Sequence, residues 1–158
     1  MSGYVKKGYV PDEVDHYILE TLMGDAKATI SYFSEKTGLT KAPLHTRIKR
    51  VWDNYIVGTR ALVNKKKLGY DIEGILIISL KVQSNESYQN FICYMHNRPE
   101  IRSAELVDGG ADFIVRFVSK NHTHTREIIN FIRDYPDLCR IQLLNVLEQS
   151  IDKPGVPV

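Results

Sequence analysis

The sequence contains few cysteines and no long apolar run. Its two cysteines, Cys93 and Cys139, are too few for a disulfide framework and lack the Cys-x-x-Cys spacing of a zinc site. The longest apolar run, Gly74 to Leu80, is far shorter than a membrane span, and the first ten residues lack the apolar core of an export signal. We therefore expect a cytoplasmic protein without a membrane partner, whose cysteines are reduced and buried.

Catalytic and cofactor motifs are also lacking. The sequence has no evident Ser/His/Asp or Cys/His set and no phosphate-binding Gly-Lys-Ser/Thr loop. His122 and His124 lie close together, but two histidines without a third ligand in register more often belong to a helix-entry loop than to a metal site. The expectation is a protein that is not an enzyme and that holds no cofactor and no metal.

Charges of opposite sign are concentrated in different parts of the chain. Residues 27–67 contain ten Lys or Arg and two acidic residues, a net of +8, whereas residues 71–158 contain nine Lys or Arg and twelve Asp or Glu, a net of −3. A basic segment suits DNA phosphates, whose neutralisation supplies most of the sequence-independent affinity for DNA. The alternative is a solvated helix surface. The length, 158 residues, allows one ordinary core or two small ones.

The basic segment has the pattern of a helix-turn-helix unit. Gly38 can adopt the left-handed conformation that ends one helix, and Thr40 can cap the next helix through its hydroxyl. A helix over about residues 41–55 would place an apolar stripe on one buried face, and Pro43 is tolerated in its first turn. The stripe consists of Leu44, Ile48, Val51 and Tyr55.

Two further helices and a β-wing complete this part of the chain. Asp12 is placed to cap a helix over about residues 13–23, and a second helix is predicted over about 30–36. Residues 56–63 are rich in β-branched side chains and contain Gly58, as expected of a wing. The prediction is a winged helix-turn-helix domain over residues 11–63.

Beyond residue 71 the hydrophobic pattern changes. Strands are predicted over 72–82, 101–107, 112–118 and 139–147, and helices over 88–97 and 125–135. The order β-α-β-β-α-β is the ferredoxin-like arrangement, with an antiparallel sheet, so the fold class is α+β. The predicted organisation is a tail (1–10), the winged helix-turn-helix domain (11–63), a hinge (64–71), the ferredoxin-like domain (72–150) and a tail (151–158).

This layout resembles the Lrp/AsnC family, also called leucine-responsive or feast/famine regulators, over about residues 12–150. The motifs that carry the resemblance are Val14-Asp15, Ile18-Leu19, Gly38-Leu39-Thr40, Arg47-Ile48, Ile56-Val57-Gly58, Leu68-Gly69-Tyr70 and Gly109-x-x-Asp112. The resemblance implies a DNA-binding transcription regulator that dimerises through its ferredoxin-like domain and often assembles into tetramers or octamers. It also implies that a small molecule, commonly an amino acid, modulates assembly or DNA affinity.

The predicted DNA contacts fall into two groups. Polar and small side chains on the exposed face of the second helix of the motif are expected to approach base edges, and arginines are expected to hold phosphates. A dimer would place two such helices roughly 34 Å apart, about one turn of DNA. Arg47 has an equally weighted alternative role in bracing the helix, and His45 could be a capping or surface residue. The base-edge candidates are Lys41, Ala42, His45, Thr46 and Lys49, and the phosphate candidates are Arg47, Arg50 and Arg60.

Gly109, Gly110 and Asp112 form the candidate effector loop. Glycine N–H groups can bind a carboxylate and Asp112 can accept an ammonium, which together suit a zwitterionic amino acid. The alternative is an ordinary hairpin turn. Leu143 and Leu144 stand where many relatives carry Thr or Ser, so a more apolar pocket, another ligand or no ligand are all compatible with the sequence.

Two other functions remain open. An architectural protein that coats DNA with little sequence preference would use the same basic charge, and Lys6, Lys7 and the lysines at 65–67 favour such broad contact. A tetrapyrrole decarboxylase resembles the same two-domain fold, but this chain has Ala104-Glu105-Leu106-Val107 where those enzymes carry a Cys-Tyr-x-Arg run.

Overall fold

A computed structural model describes residues 9–148 and 156–157 of the chain. Two compact units, each with its own hydrophobic core, divide between Leu62 and Val63. Most of the two predicted tails lies outside the described residues. Within the described ranges, no helix is long and apolar enough to cross a membrane.

The first unit contains three helices: α1 (Glu13–Gly24), α2 (Ile30–Thr37) and α3 (Lys41–Tyr55). Their bounds agree with the predicted helices to within one residue. Ile18, Phe33, Leu44 and Val51 are fully buried and form the centre of the core. Gly38 ends α2 with φ of 71°, the left-handed conformation expected of it.

Thr40 does not cap α3 through its hydroxyl, so that prediction is wrong. Thr40 occupies the cap position with extended backbone, but its side chain makes no cap hydrogen bond. Pro43 stands three residues later, where a cap hydroxyl would accept an N–H, and proline has no N–H to donate. α2, by contrast, is capped by Thr29, whose hydroxyl accepts from the N–H of Tyr32 at 3.2 Å.

The predicted β-wing is also absent from the described chain. Residues 56–64 contain no strand, and the side chains of Val57 and Leu62 are 101% and 96% exposed. β-branched residues favour a strand only where a neighbouring strand pairs with them, and no strand of the described residues pairs with this segment. The segment therefore has no regular secondary structure.

The second unit is a four-stranded antiparallel sheet covered on one face by two helices. Its elements are β1 (Ile72–Leu80), α4 (Asn85–Met95), β2 (Ile101–Leu106), β3 (Phe113–Ser119), α5 (His122–Arg133) and β4 (Leu138–Asn145). The strand order is β2-β3-β1-β4. The predicted antiparallel βαββαβ order is confirmed. Both helices begin three residues earlier than predicted, because Ser84 and Asn121 cap them.

The two faces of the sheet differ in burial. Leu76, Ile78, Phe113 and Val115 are fully buried beneath α4 and α5. The opposite face, which no helix of the second unit covers, carries alternate residues of the same strands, and we call it the open face. Residues of the open face include Ile75, Ile77, Ile114, Arg116, Gln142 and Leu144, none of which is fully buried.

The predicted hinge, residues 64–71, contains a short 3-10 turn, Lys66–Leu68, followed by Gly69 at φ of 80°. Lys65, in the same segment, forms an ion pair with Glu73 at 2.6 Å.

Cys93 and Cys139 are both exposed, so the expectation of buried thiols is wrong. Cys93 lies on the solvent side of α4, and Cys139 lies where the β1–β4 pairing shifts register.

Candidate DNA-binding surface and effector loop

The α3 helix presents a polar face opposite its buried stripe. Leu44 and Val51 are fully buried, whereas all five base-edge candidates are exposed: Lys41, Ala42, His45, Thr46 and Lys49. The hydroxyl of Thr46 donates to the carbonyl of Ala42 at 3.4 Å. Asp53, one turn beyond Lys49, is exposed on the same side, and its carboxylate offsets part of the positive charge near the end of the helix.

Arg47 joins α3 to the start of α1. Its Nη1 lies 2.6 Å from Asp12 Oδ2 and 2.9 Å from Asp15 Oδ1. Asp12 and Asp15 also form a capping box: Asp15 N–H donates to Asp12 at 3.0 Å, and Asp12 N–H donates to Asp15 at 3.3 Å. Because the guanidinium is held by two carboxylates, one of them 98% buried, this geometry supports the bracing role for Arg47.

This cluster has an electrostatic consequence at Asp12. The hydrogen bond from Arg47 and the N–H of Asp15 hold the pKa of Asp12 below its ordinary value. The cluster is readable in part from sequence, since Asp12-x-x-Asp15 has the spacing of a capping box with Asp in place of Glu or Gln. The third member, Arg47, lies far along the chain. From sequence alone its role stayed open between binding a phosphate and bracing the helix.

The other two phosphate candidates differ in freedom. The guanidinium of Arg50 lies over the ring of Tyr9, 5.0 Å from its centroid, and Tyr9 also contacts Tyr55 with centroids 5.7 Å apart. Arg50 remains exposed, so it keeps donors for a phosphate while its stem is positioned by the aromatic ring. Arg60 is exposed in the segment after α3 that forms no strand.

The candidate effector loop has open glycines and a buried carboxylate. Gly109, at φ of 135°, and Gly110 are exposed. Asp112 is only 4% exposed, and its carboxylate accepts from Leu80 N–H at 2.7 Å and from Tyr88 Oη at 3.3 Å. A ligand ammonium would therefore have to compete with two donors that the protein already supplies.

Arg140 is a residue at this loop that sequence reasoning missed. Its Nη2 donates to the carbonyl of Gly110 at 2.9 Å, which places a guanidinium beside the exposed glycines. The contact spans 30 residues of sequence, and a lone arginine in a strand carries no local signal. Leu144, on the same strand, is 42% exposed on the open face, whereas Leu143 packs against the core beneath the helices.

Comparison with known proteins decides the family. Residues 74–156 match the family model of the Lrp/AsnC ligand-binding domain, which is more than half of the chain. This chain belongs to the Lrp/AsnC family. The resemblance predicted from the sequence is thus confirmed.

The relatives of this Lrp/AsnC chain are transcription regulators. It is 31% identical over 111 residues to a leucine-responsive regulatory protein of Rhizobium meliloti, covering 70% of this chain and 71% of the relative. It is 27% identical over 150 residues to a proline dehydrogenase transcriptional activator of Rhizobium radiobacter, covering 92% and 96%.

Solved structures agree with the fold. Escherichia coli AsnC superposes with a TM-score of 0.81 at 24% identity, covering 94% of this chain and all of that one. The transcriptional regulator NMB0573 of Neisseria meningitidis, solved as a complex with L-Met, gives a TM-score of 0.85 at 19% identity, covering 94% and 97%. At these identities the likeness shows the fold alone.

The two histidines considered for a metal site lie in the first turn of α5 of this Lrp/AsnC chain. His124 Nε2 lies 2.9 Å from Glu100 Oε1, and its Nδ1 accepts from Lys120 N–H at 3.3 Å. Burial acts to raise the pKa of Glu100, but a backbone N–H and His124 hold it below its ordinary value. Within residues 9–148 and 156–157, no group of three or more His, Cys, Asp or Glu is arranged to hold a metal.

Proposed function

We propose that this Lrp/AsnC chain is a sequence-specific DNA-binding transcription regulator that acts as a dimer or higher oligomer and responds to a small molecule such as an amino acid. The single observation that carries the DNA-binding part is α3. Its apolar stripe is buried and its opposite face presents exposed polar side chains within a segment of net +8. The proposed partner is double-stranded DNA, and the proposed location is the cytoplasm.

Residues 11–63 are proposed as the DNA-binding domain. α2, the turn at Gly38 and α3 have the layout of a helix-turn-helix, whose second helix enters the major groove. The segment 56–63, which forms no strand in the described chain, is the last part of this proposed domain. The base-edge candidates are retained as Lys41, Ala42, His45, Thr46 and Lys49, with Arg50 and Arg60 on phosphates; for Arg47 the bracing role is preferred.

Residues 72–150 are proposed as the domain for dimerisation and effector binding. The open face of its sheet is apolar at its centre. Ile75, Ile77 and Ile114 are half-buried there, and Leu144 is 42% exposed. A second copy of the same face would bury these side chains in a symmetric interface. Dimerisation would also supply the second recognition helix that a two-fold operator requires.

The effector is proposed to bind at the loop Gly109–Asp112. A carboxylate would meet the open glycine N–H groups and Arg140, and an ammonium would have to draw Asp112 away from Tyr88. The L-Met complex of the Neisseria regulator supports an amino acid as the class of ligand. The protein is not proposed to be an enzyme, because its relatives are named as transcription regulators.

The deciding experiment is a competitive selection of random duplex DNA on the purified full chain at physiological salt. An enriched motif with approximate two-fold symmetry is the expected result, since a dimer presents two copies of α3. Retention of DNA without enrichment would instead establish the architectural function. Failure to retain DNA at any salt concentration would remove both functions.

The effector requires a separate measurement. The selected duplex is titrated with protein in the presence of each common amino acid at millimolar concentration, and the same series is repeated with Arg140→Gln. A shift in DNA affinity that Arg140→Gln abolishes, while DNA binding without amino acid is unchanged, is expected of a site at this loop. An equal shift in the variant would place the ligand elsewhere.

A further inference from the structure

A cavity of about 410 Å³ lies between α4 and β2 in the second unit. This volume is within the range of small-molecule sites. Its apolar lining includes Ile92, Met95 and Ile101, and its polar lining includes three basic side chains: His96, Arg98 and Arg102. None of the residues 109–112 lines it, so it is separate from the candidate effector loop.

The charged side chains that line the cavity are basic, and no acidic side chain is among its described lining residues. Of the two nearest acidic residues along the chain, Glu105 accepts from Ser103 Oγ at 2.7 Å. Glu100 Oε1 pairs with His124 at 2.9 Å, whereas Glu100 Oε2 is buried without a hydrogen-bond partner in the described chain and the charge of Glu100 interacts with that of Arg98. Neither Arg98 nor Arg102 forms an ion pair with any residue of the described part of the chain.

Arg98 is also fixed in place. Its guanidinium lies over the ring of Phe131, 4.9 Å from the centroid, and that ring is stacked on Tyr94. A planar cation held over an aromatic face loses less freedom when it binds a carboxylate than a mobile side chain does. The residues that line the cavity therefore include apolar side chains, one arginine whose guanidinium packs on an aromatic ring, and the exposed Arg102.

We propose that this cavity binds a small carboxylic acid with a compact apolar body and no amine. The apolar body would cover Ile92, Met95 and Ile101, and the carboxylate would be bound by Arg98 and Arg102. A free amino acid fits less well, because no carboxylate lines the cavity to receive its ammonium. The ligand proposed for this cavity therefore differs in chemistry from the amino-acid effector proposed for the Gly109–Asp112 loop. The cavity adds a second small-molecule site to the proposed function.

The first test compares probes on the wild-type full chain. Phenylacetate carries both required features, 2-phenylethylammonium carries the same ring with the opposite charge, and acetate carries the charge without the ring. Titration followed by backbone amide NMR is expected to show saturable shifts at residues 101–104 with phenylacetate alone. Equal shifts with 2-phenylethylammonium, or no saturable shift with phenylacetate, would overturn the proposal.

The second test uses a matched pair of variants. Arg102→Gln removes an exposed charge from the cavity, and Arg126→Gln removes one from the exposed side of α5, so the net charge falls equally in both. Calorimetry is expected to show phenylacetate affinity reduced about tenfold in Arg102→Gln and unchanged in Arg126→Gln. Equal affinities in two variants that unfold at the wild-type temperature would overturn the proposal independently of the DNA-binding function.

Discussion

At the scale of single residues, Arg47 has two candidate roles: binding a DNA phosphate and bracing α3 against the start of α1. A guanidinium on α3 is a natural candidate for binding phosphate, yet Nη1 of Arg47 lies 2.6 Å from the carboxylate of Asp12 and 2.9 Å from that of Asp15, at the start of α1. One of these carboxylates, Asp15, is 2% exposed, so removal of its cation leaves a charge that water cannot reach. The burial of Asp15 supports the structural role, and the phosphate-contact role remains the alternative.

Arg47→Gln is therefore expected to lower the unfolding temperature by about 5 °C at neutral pH, since the buried carboxylate loses its cation. Thermal unfolding by circular dichroism measures the change, with Lys49→Gln on the same helix as the control. A variant that melts with the wild type but binds all DNA more weakly would return Arg47 to the phosphate-contact role.

The stability from this cluster should depend on pH in a defined direction. The pKa of Asp12 in the folded chain lies below its ordinary value of 3.8, chiefly because of the hydrogen bond from Arg47. A depressed carboxyl pKa stabilises the fold above the unfolded value and loses that contribution as pH falls through the folded value. The difference in melting temperature between wild type and Arg47→Gln should stay constant down to about pH 5 and shrink below about pH 4. A difference that grows on acidification would contradict this assignment.

Gly74 is required by close packing rather than by a turn. A Cβ at this position would overlap the ring of Phe117, which is 1% exposed in the core beneath the helices. Gly74→Ala is expected to destabilise the chain by about 1–3 kcal/mol, because a packed ring has to move. Urea unfolding measures this, and Gly110→Ala, whose Cβ would meet nothing within 4 Å, is the control. Equal midpoints for the two variants would show that Phe117 moves freely.

At the scale of elements, the predictions from sequence succeeded where the signal lies within a few residues of the element it defines. Helix α1 begins after the Asp12 cap and α2 ends at Gly38, because these signals act within one turn of backbone. The positions of the strands along the chain followed from alternating apolar residues around a single buried face.

Two predictions failed because the partner that each needed is missing from the described chain. Residues 56–63 have β-forming composition but no strand partner in the described chain, and Thr40 lost its cap bond because Pro43 supplies no N–H. Asp112 remains a candidate effector residue, and its carboxylate also accepts hydrogen bonds from Leu80 N–H and Tyr88 Oη, 32 and 24 residues away, which no local pattern predicts. The cavity between α4 and β2 has no sequence motif, since it is formed by the packing of a helix against a strand.

The two basic elements of the DNA-binding proposal should respond differently to substitution. Lys49→Ala, on the exposed face of α3, is expected to weaken binding to the selected operator about tenfold and to random DNA much less. Lys66→Ala, in the short 3-10 turn Lys66–Leu68, is expected to weaken binding to both DNAs equally and to reduce the salt slope by about 1. Fluorescence anisotropy over a salt series measures both variants. Parallel losses on both DNAs for Lys49→Ala would remove it from the base edge.

At the scale of the whole molecule, the open face is proposed to set the oligomeric state. Leu144→Asp would place a charge in the middle of the symmetric interface, and the dimer dissociation constant should rise at least about tenfold. Sedimentation over a range of protein concentrations measures it. Leu147→Asp, at a position 97% exposed after the last strand, is the control. Identical sedimentation of the two variants would mean that the chains associate through another surface.

The hydrogen bond between Leu80 and Asp112 turns one backbone proton into a reporter on the effector loop. The amide of Leu80 donates to the buried carboxylate at 2.7 Å, so its proton can exchange with deuterium only when that carboxylate moves away. A ligand amine that captures Asp112 should speed this exchange, whereas one that closes the loop over the carboxylate should slow it. The direction of change at a single amide would thus distinguish the two modes of binding before the ligand itself has been seen.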